Sequence, residues 1–562
     1  MKSSLDIAQA AVLRPIAEVC AELGLRPDEY DLYGRHKAKV HLSAIERLAD
    51  RTDGRQIIVT AITPTPLGEG KTTTTIGLAQ GLNRIGVRAA AAIREPSLGP
   101  VFGIKGGGTG GGYSQVVPMA DINLHFTGDL HAVAAAHNLG AAFLDNHLFR
   151  ANALGIDRAT IRWPRVVDVN DRALRRAMID LDGPAPREAE WHITAASEVM
   201  AVLALASDLH DLRARLGRIQ VADTTDGEPV TLEQLGVAGA MTVLMRDAIA
   251  PNLVQTLEGG PAFVHAGPFA NIAHGNSSVV ADRVALKLVD AVVTEAGFGS
   301  DMGFQKYADI KCRLSGLRPA AAVIVATIRA LKMHGGIGKI VAGKPLDPAL
   351  QKENPDGVRR GCANLAQHLA IVGAHGVPAV VAINRFPGDH DSEVDAVRDE
   401  ALQAGAHDAI VTEHVARGGA GAEDLARAVW PAATAGTPDL RFLCPDEATL
   451  EERIHAVATR VYGADGVDLS EPAARRLADL ERRGYGRLPV CMAKTPLSLS
   501  HDPALKGRPT GYRLPVRDVR LYAGAGFVTA YCGDMLMMPG LPSRPSGENV
   551  DINEDGEIVG LS

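Results

Sequence analysis

Short apolar, β-branched runs alternate with helix-length stretches along most of the chain. Residues 56–62, 87–93, 289–294, 322–327, 378–384 and 408–412 have the length and composition of strands buried on both faces. Between them, 73–84 carries Ile76, Leu78, Ala79 and Leu82 at roughly helical spacing, and 197–205 reads as a buried helix. Such alternation predicts an α/β fold, a mostly parallel sheet wrapped by helices, with strand ends gathered at one rim. Residues 1–50 read as packing helices, with one apolar stripe through Ile7, Val12, Leu13, Ile16, Val19 and Leu23 and another through Leu42, Ile45 and Leu48. Residues 450–462 give a last helical pattern before a Pro/Gly-rich tail, whose Met535-Leu536-Met537-Met538-Pro539-Gly540-Leu541-Pro542 reads as core packing or a subunit contact.

The first of these strands and the helix at 73–84 enclose Thr65-Pro66-Leu67-Gly68-Glu69-Gly70-Lys71-Thr72. A Gly-rich turn between strand and helix aims backbone N–H groups and the positive helix end at one spot, and Lys71 adds a full charge. The expected guest is a polyphosphate, with the Thr72 hydroxyl available to a magnesium ion. The loop is a variant, since Thr65 stands where the usual pattern begins with glycine. The competing reading is a strand-to-helix turn that ends in Lys-Thr by coincidence.

At 562 residues the chain exceeds what one core usually serves, so at least two domains are expected. We divide it into a phosphate-loop nucleotide-binding domain at 1–375, with an inserted subdomain near 141–185, and a C-terminal α/β domain at 376–562. The net charge of -8 argues against a general nucleic-acid binder. Six scattered cysteines with no Cys-x-x-Cys pair argue against zinc and a disulfide framework. The first residues carry Asp6, Pro15 and Glu18 where a signal peptide needs an apolar core, and no run approaches the roughly 20 apolar residues of a membrane span. A cytoplasmic protein without membrane partners is expected.

Other stretches offer chemistry with a bland alternative beside each. Arg94 follows the strand at 87–93 and sits where open α/β sheets bind ligands; it forks onto an anion or pairs with a neighbour such as Glu95. The Gly-rich run from Gly103 to Tyr113, interleaved with Ile104 and other apolar residues, reads as an ordered loop or lid over anions rather than a linker. His125 and His131, close to Asp121 and Asp129, are metal ligands, proton carriers or structural residues. Lys37 and Lys39 either reach an anion or, as the preferred reading, form a solvated basic edge. Residues 247–275 read as a polar loop, functional or turn-forming.

Several of these stretches occur together in one order. The phosphate loop, Arg94-Glu95-Pro96-Ser97-Leu98-Gly99-Pro100, Pro268-Phe269-Ala270-Asn271-Ile272-Ala273-His274-Gly275 and Met538-Pro539-Gly540-Leu541-Pro542 resemble the formate–tetrahydrofolate ligase family nearly end to end. The resemblance implies ATP-dependent joining of formate to N10 of tetrahydrofolate, through formyl phosphate, with magnesium, a monovalent cation and a homotetramer. It implies that Lys71 offsets phosphoryl charge and that Arg94 holds formate or formyl phosphate. His125, His131, Asp129 and phosphate itself stand as proton acceptors. Folate is expected at Asn384, Phe386 and Val415, with the C-terminal domain contributing. Relatives commonly carry tryptophan where this chain has Val415, which weakens stacking on that side. Two rivals remain at this stage, a nucleotide-driven switch of the partition or iron-protein kind and an ATP-dependent ligase acting on another small carboxylate.

Overall fold

The computed structural model describes residues 2–103, 107–183, 186–270, 273–341 and 344–561. Ile104, Lys105 and Gly106 of the Gly-rich run, and Asn271 and Ile272 of the motif at 268–275, lie outside the described residues.

A sheet of 12 strands forms the centre. Pro261–Val264, Ala89–Ile93, Ala291–Glu295, Arg55–Ala61, Pro319–Ala326, Ala379–Asn384 and Asp408–Thr412 lie side by side in that order, each parallel to its neighbour. All residues of Ala89–Ile93, Ala291–Glu295, Pro319–Ala326 and Ala379–Asn384 are buried, which is why these segments are continuously apolar instead of alternating. Successive side chains go to opposite faces. Ile58, Ala92, Val292, Ile324 and Val381 pack into one core, while Ile57, Val59, Ala91, Val293, Val323 and Val380 pack into another. Helix Lys71–Arg84 buries Ile76, Leu78 and Leu82 in the second core, each such side chain contributing about 1.5–3 kcal/mol of transfer free energy.

The N-terminal region departs from an all-helical reading. Helices Ser4–Gln9, Ile16–Glu22 and Ser43–Arg47 form, but Tyr30–Leu32 and Ala38–Val40 are antiparallel strands that extend the sheet through Asn252–Thr256. Three-residue strands are too short for a period of two to register between helical stripes. Lys39 consequently leaves the solvated edge: it is buried and donates to Asp129 at 2.8 and 3.0 Å. The stretch 247–275 likewise contains the hairpin Asn252–Thr256 and Pro261–Val264 as well as loops.

Residues 141–185 begin inside helix Asp129–Arg150 and include short strands Arg165–Val167 and Ala177–Ile179. That helix, Glu198–Leu205 and Leu209–Arg218 surround a separate core built on Val133, Leu144, Leu203 and Leu216. The large sheet crosses residue 375, because Ala379–Asn384 and Asp408–Thr412 belong to it. A three-stranded sheet of Val490–Ala493, Phe527–Tyr531 and Asp518–Tyr522 follows. Among the described residues no helix is long and apolar enough to cross a membrane.

Candidate active site

Parallel strands end on one side, so the residues that follow them share a rim. Arg94, Glu295, the loop at 62–70, Thr327, Asn384 and His414 all stand at the C-terminal ends of neighbouring strands.

The loop is held from beneath. Thr63 donates its N–H to Asn364 Oδ1 at 3.1 Å, and its hydroxyl lies 3.0 Å from His368 Nε2. His334 Nδ1 accepts from the Gly507 N–H, which leaves Nε2 protonated and donating to the Thr63 carbonyl at 2.9 Å. Glu69 turns inward: its carboxylate accepts from the Thr65 N–H at 2.7 Å and from the Thr327 hydroxyl. Gly68 and Gly70 have φ of 76° and 79°, a backbone that glycine adopts without strain. Pro66 and Leu67 form an exposed tip. Gly70 precedes the first turn of helix Lys71–Arg84, so Lys71 and Thr72 occupy the positive end of a 14-residue helix.

A buried carboxylate joins the loop to Arg94. Glu295, the last residue of its strand, accepts from Thr72 Oγ1 at 2.6 Å through Oε2 and from Arg94 Nε at 3.2 Å through Oε1. Arg94 Nη1 also reaches the Pro268 carbonyl at 3.4 Å, and a quarter of the side chain remains exposed. The Arg94 turn is fixed from the other side by Asp168, which accepts from the Ser97 hydroxyl at 2.7 Å and the Leu98 N–H at 2.9 Å. Burial pushes the Asp168 carboxyl up to about 6.

Asn384, expected on the folate rim, is buried behind the loop. Its Nδ2 donates to the Glu69 carbonyl at 2.9 Å and its Oδ1 accepts from Thr412 at 2.8 Å. Phe386 and Val415 are partly exposed. Val415 holds the end of the Gly-rich run, since its carbonyl accepts from the Tyr113 N–H at 2.9 Å. At Gly112, with φ of 59°, an added Cβ would sit 2.1 Å from that same carbonyl. His414, beside Val415, lies within 3.4 Å of the Thr73 and Thr74 hydroxyls, and burial depresses its pKa to about 4, keeping the ring neutral. His125 and His131 are exposed and flank, in sequence, the Asp129 of the buried Lys39–Asp129 pair. Among the described residues no group of three His, Cys, Asp or Glu side chains could by itself hold a metal.

A family model described as formate–tetrahydrofolate ligase matches residues 2–562. The chain belongs to the formate–tetrahydrofolate ligase family. Proteins of that name from Roseiflexus castenholzii and Saccharopolyspora erythraea are each 58% identical to it, over 100% of this chain and 100% and 99% of their own. The formate–tetrahydrofolate ligase of Desulforamulus reducens is 57% identical over 100% of this chain and 99% of its own. Glu295 and Thr327 end strands expected to gather at one rim, but the sequence assigns no role to them or to Arg329. An acid that ends an apolar strand is a usable signal for Glu295, but the sequence does not say that its strand lies between those bearing the loop and Arg94.

Proposed function

We propose that the chain joins formate to N10 of tetrahydrofolate, turning ATP into ADP and phosphate by way of formyl phosphate. The observation that carries this reading is the Thr72–Glu295–Arg94 connection, which sets an anion fork beside a phosphate loop. A nucleotide switch needs the loop alone and has no use for that fork.

In this account the loop N–H groups, the helix terminus and Lys71 bind the β- and γ-phosphates, and Arg94 orients formate toward the γ-phosphorus. A formate oxygen bonds to that phosphorus while the bond to the ADP oxygen breaks. Both reactants are anionic, so stabilisation of the γ-phosphoryl charge by Lys71 and Arg94 is the main catalytic contribution. N10 then attacks the formyl carbon, the carbon–phosphate oxygen bond breaks and phosphate leaves. The N10 proton must also leave. Asp129 is committed to Lys39 in a buried pair, so the departing phosphate is the proposed acceptor, with His125 and His131 as alternatives.

Magnesium, when bound, offsets charge on the phosphate oxygens. The Thr72 hydroxyl and Glu295 carboxylate are hard oxygen donors at the loop mouth and fit it, with ATP oxygens completing the set. For a monovalent cation the one orphaned oxygen donor near Arg94 is Glu95 Oε2, buried with no hydrogen-bond partner among the described residues. Phe386 and Val415 take the folate pterin, and Asn384 supports the loop from behind. The homotetramer and cytoplasmic location implied by the resemblance belong to the same reading, and sedimentation of the purified protein checks the first.

Formate labelled with ¹⁸O tests the acyl phosphate. One label is expected in the released phosphate for each formyl group transferred, and unlabelled phosphate would contradict the route.

A further inference from the structure

Arg329 is unused by the reaction so far described. It is the second residue of helix Ile328–His334, which leaves the sheet directly after Pro319–Ala326. Its guanidinium carbon lies 4.0 Å from the centroid of the Phe386 ring, and Nη2 is 3.4 Å from the Gly68 carbonyl. Its Nε is buried and has no acceptor among the described residues. One side chain thus touches both the phosphate loop and the aromatic platform.

We propose that Arg329 is a positioning residue that fixes the plane of Phe386 and ties that plane to the phosphate loop. The proposal rests on the reading of Phe386 as the platform for a flat heteroaromatic ligand, the pterin of the folate. A guanidinium stacked on one face of the ring leaves the opposite face for that ligand.

Three observations support the assignment. First, the turn carrying Phe386 is locked locally, while the ring is not. Asp389 Oδ2 accepts from the Phe386 N–H at 2.8 Å, the Asp389 N–H returns to the Phe386 carbonyl at 3.1 Å, and Gly388 has φ of 96°. Those bonds set the backbone and leave side-chain orientation to whatever covers the ring. Second, an arginine near a helix start readily turns its donors to water, yet Arg329 keeps a buried donor unpartnered, a cost that stability alone does not explain. Third, the helix meets the loop at two points, Thr327 to the Glu69 carboxylate and Arg329 to the Gly68 carbonyl. A loop adjustment on nucleotide binding is therefore transmitted to the Phe386 plane. The facing charges are those of Asp389, whose carboxyl burial raises while Lys332 and Arg329 favour its ionised form, and of Glu393 beyond it.

The test compares wild type with Arg329→Ala, Arg329→Lys, Phe386→Ala and the Arg329→Ala/Phe386→Ala double variant. Steady-state constants are measured for ATP, formate and tetrahydrofolate, and folate affinity is measured with and without a non-hydrolysable MgATP analogue. Loss of Arg329 is expected to raise the KM for folate about tenfold, on the scale of one aromatic contact, and more than it alters the KM for ATP. Lysine, lacking a plane, is expected not to restore it. The double variant should be no worse than Phe386→Ala alone, and the nucleotide's effect on folate affinity should shrink. Full rescue by lysine, additive losses, or a fall in kcat with an unchanged folate KM would each overturn the proposal. If Arg329→Ala fails to fold, Arg329→Gln takes its place, alone and combined with Phe386→Ala, and is read by the same criteria. Wild type that makes no formylated folate would sink the ligase reading itself. Wild type that does, beside Arg329 variants that match it, sinks only the positioning role.

Discussion

Thr72 Oγ1 donates to Glu295 Oε2 at 2.6 Å, and the other oxygen of the same carboxylate holds Arg94 Nε at 3.2 Å. The phosphate loop and the anion fork are therefore parts of one hydrogen-bonded unit. Glu295 sets the angle of Arg94, occupies Thr72 and supplies a carboxylate where the magnesium of MgATP is expected.

Replacing that carboxylate should first affect magnesium. Glu295→Gln keeps the volume and one acceptor but removes the charge. The magnesium concentration for half-maximal rate is expected to rise about 10–100-fold, the usual range for disturbing a metal site's surroundings. A magnesium titration of ADP formation measures this. A variant that needs no more magnesium than wild type, while melting at a lower temperature, would make Glu295 purely structural.

Asn384 braces the loop through the Glu69 carbonyl and the Thr412 hydroxyl. Asn384→Ala leaves both buried groups short of a partner, a loss of about 1–3 kcal/mol. Thermal unfolding should show it as a lowered midpoint, and the KM for ATP should rise with it. A change in folate KM with no change for ATP would instead return Asn384 to the folate rim.

Glu198 accepts from the Gly524 N–H at 2.8 Å and the Ala525 N–H at 3.3 Å, and burial pushes its carboxyl from 4.5 to about 7. Between those values the folded chain keeps a proton that the unfolded chain has released. This contribution to stability is complete below the lower value and is lost as pH rises through the upper one. Glu198→Gln has no such proton, so its unfolding midpoint should fall less than that of wild type between about pH 5 and about pH 8. Parallel pH curves for the two proteins would contradict this.

The parallel sheet was legible because each central strand is buried on both faces and reads as an unbroken apolar run. The loop was legible because glycine, lysine and hydroxyl occur at fixed offsets. Three kinds of feature were not. Ala38–Val40 is too short to show a period, so Lys39 looks solvated in sequence although it pairs with Asp129. Glu295 and Asn384 end strands that look alike in sequence, and only lateral strand order sets Glu295 between Arg94 and Thr72 and Asn384 behind Glu69. The contact of Gly112 with the Val415 carbonyl joins residues some 300 positions apart; glycine content announces a close approach but not its partner.

The most direct measurement is formation of ADP and 10-formyltetrahydrofolate on mixing the protein with MgATP and formate, with and without tetrahydrofolate, beside an Arg94→Ala variant. Folate-dependent product is expected from wild type, with a loss of about 10²–10³-fold in the variant as charge stabilisation disappears. ATP hydrolysis indifferent to formate, to folate and to Arg94 would contradict the account.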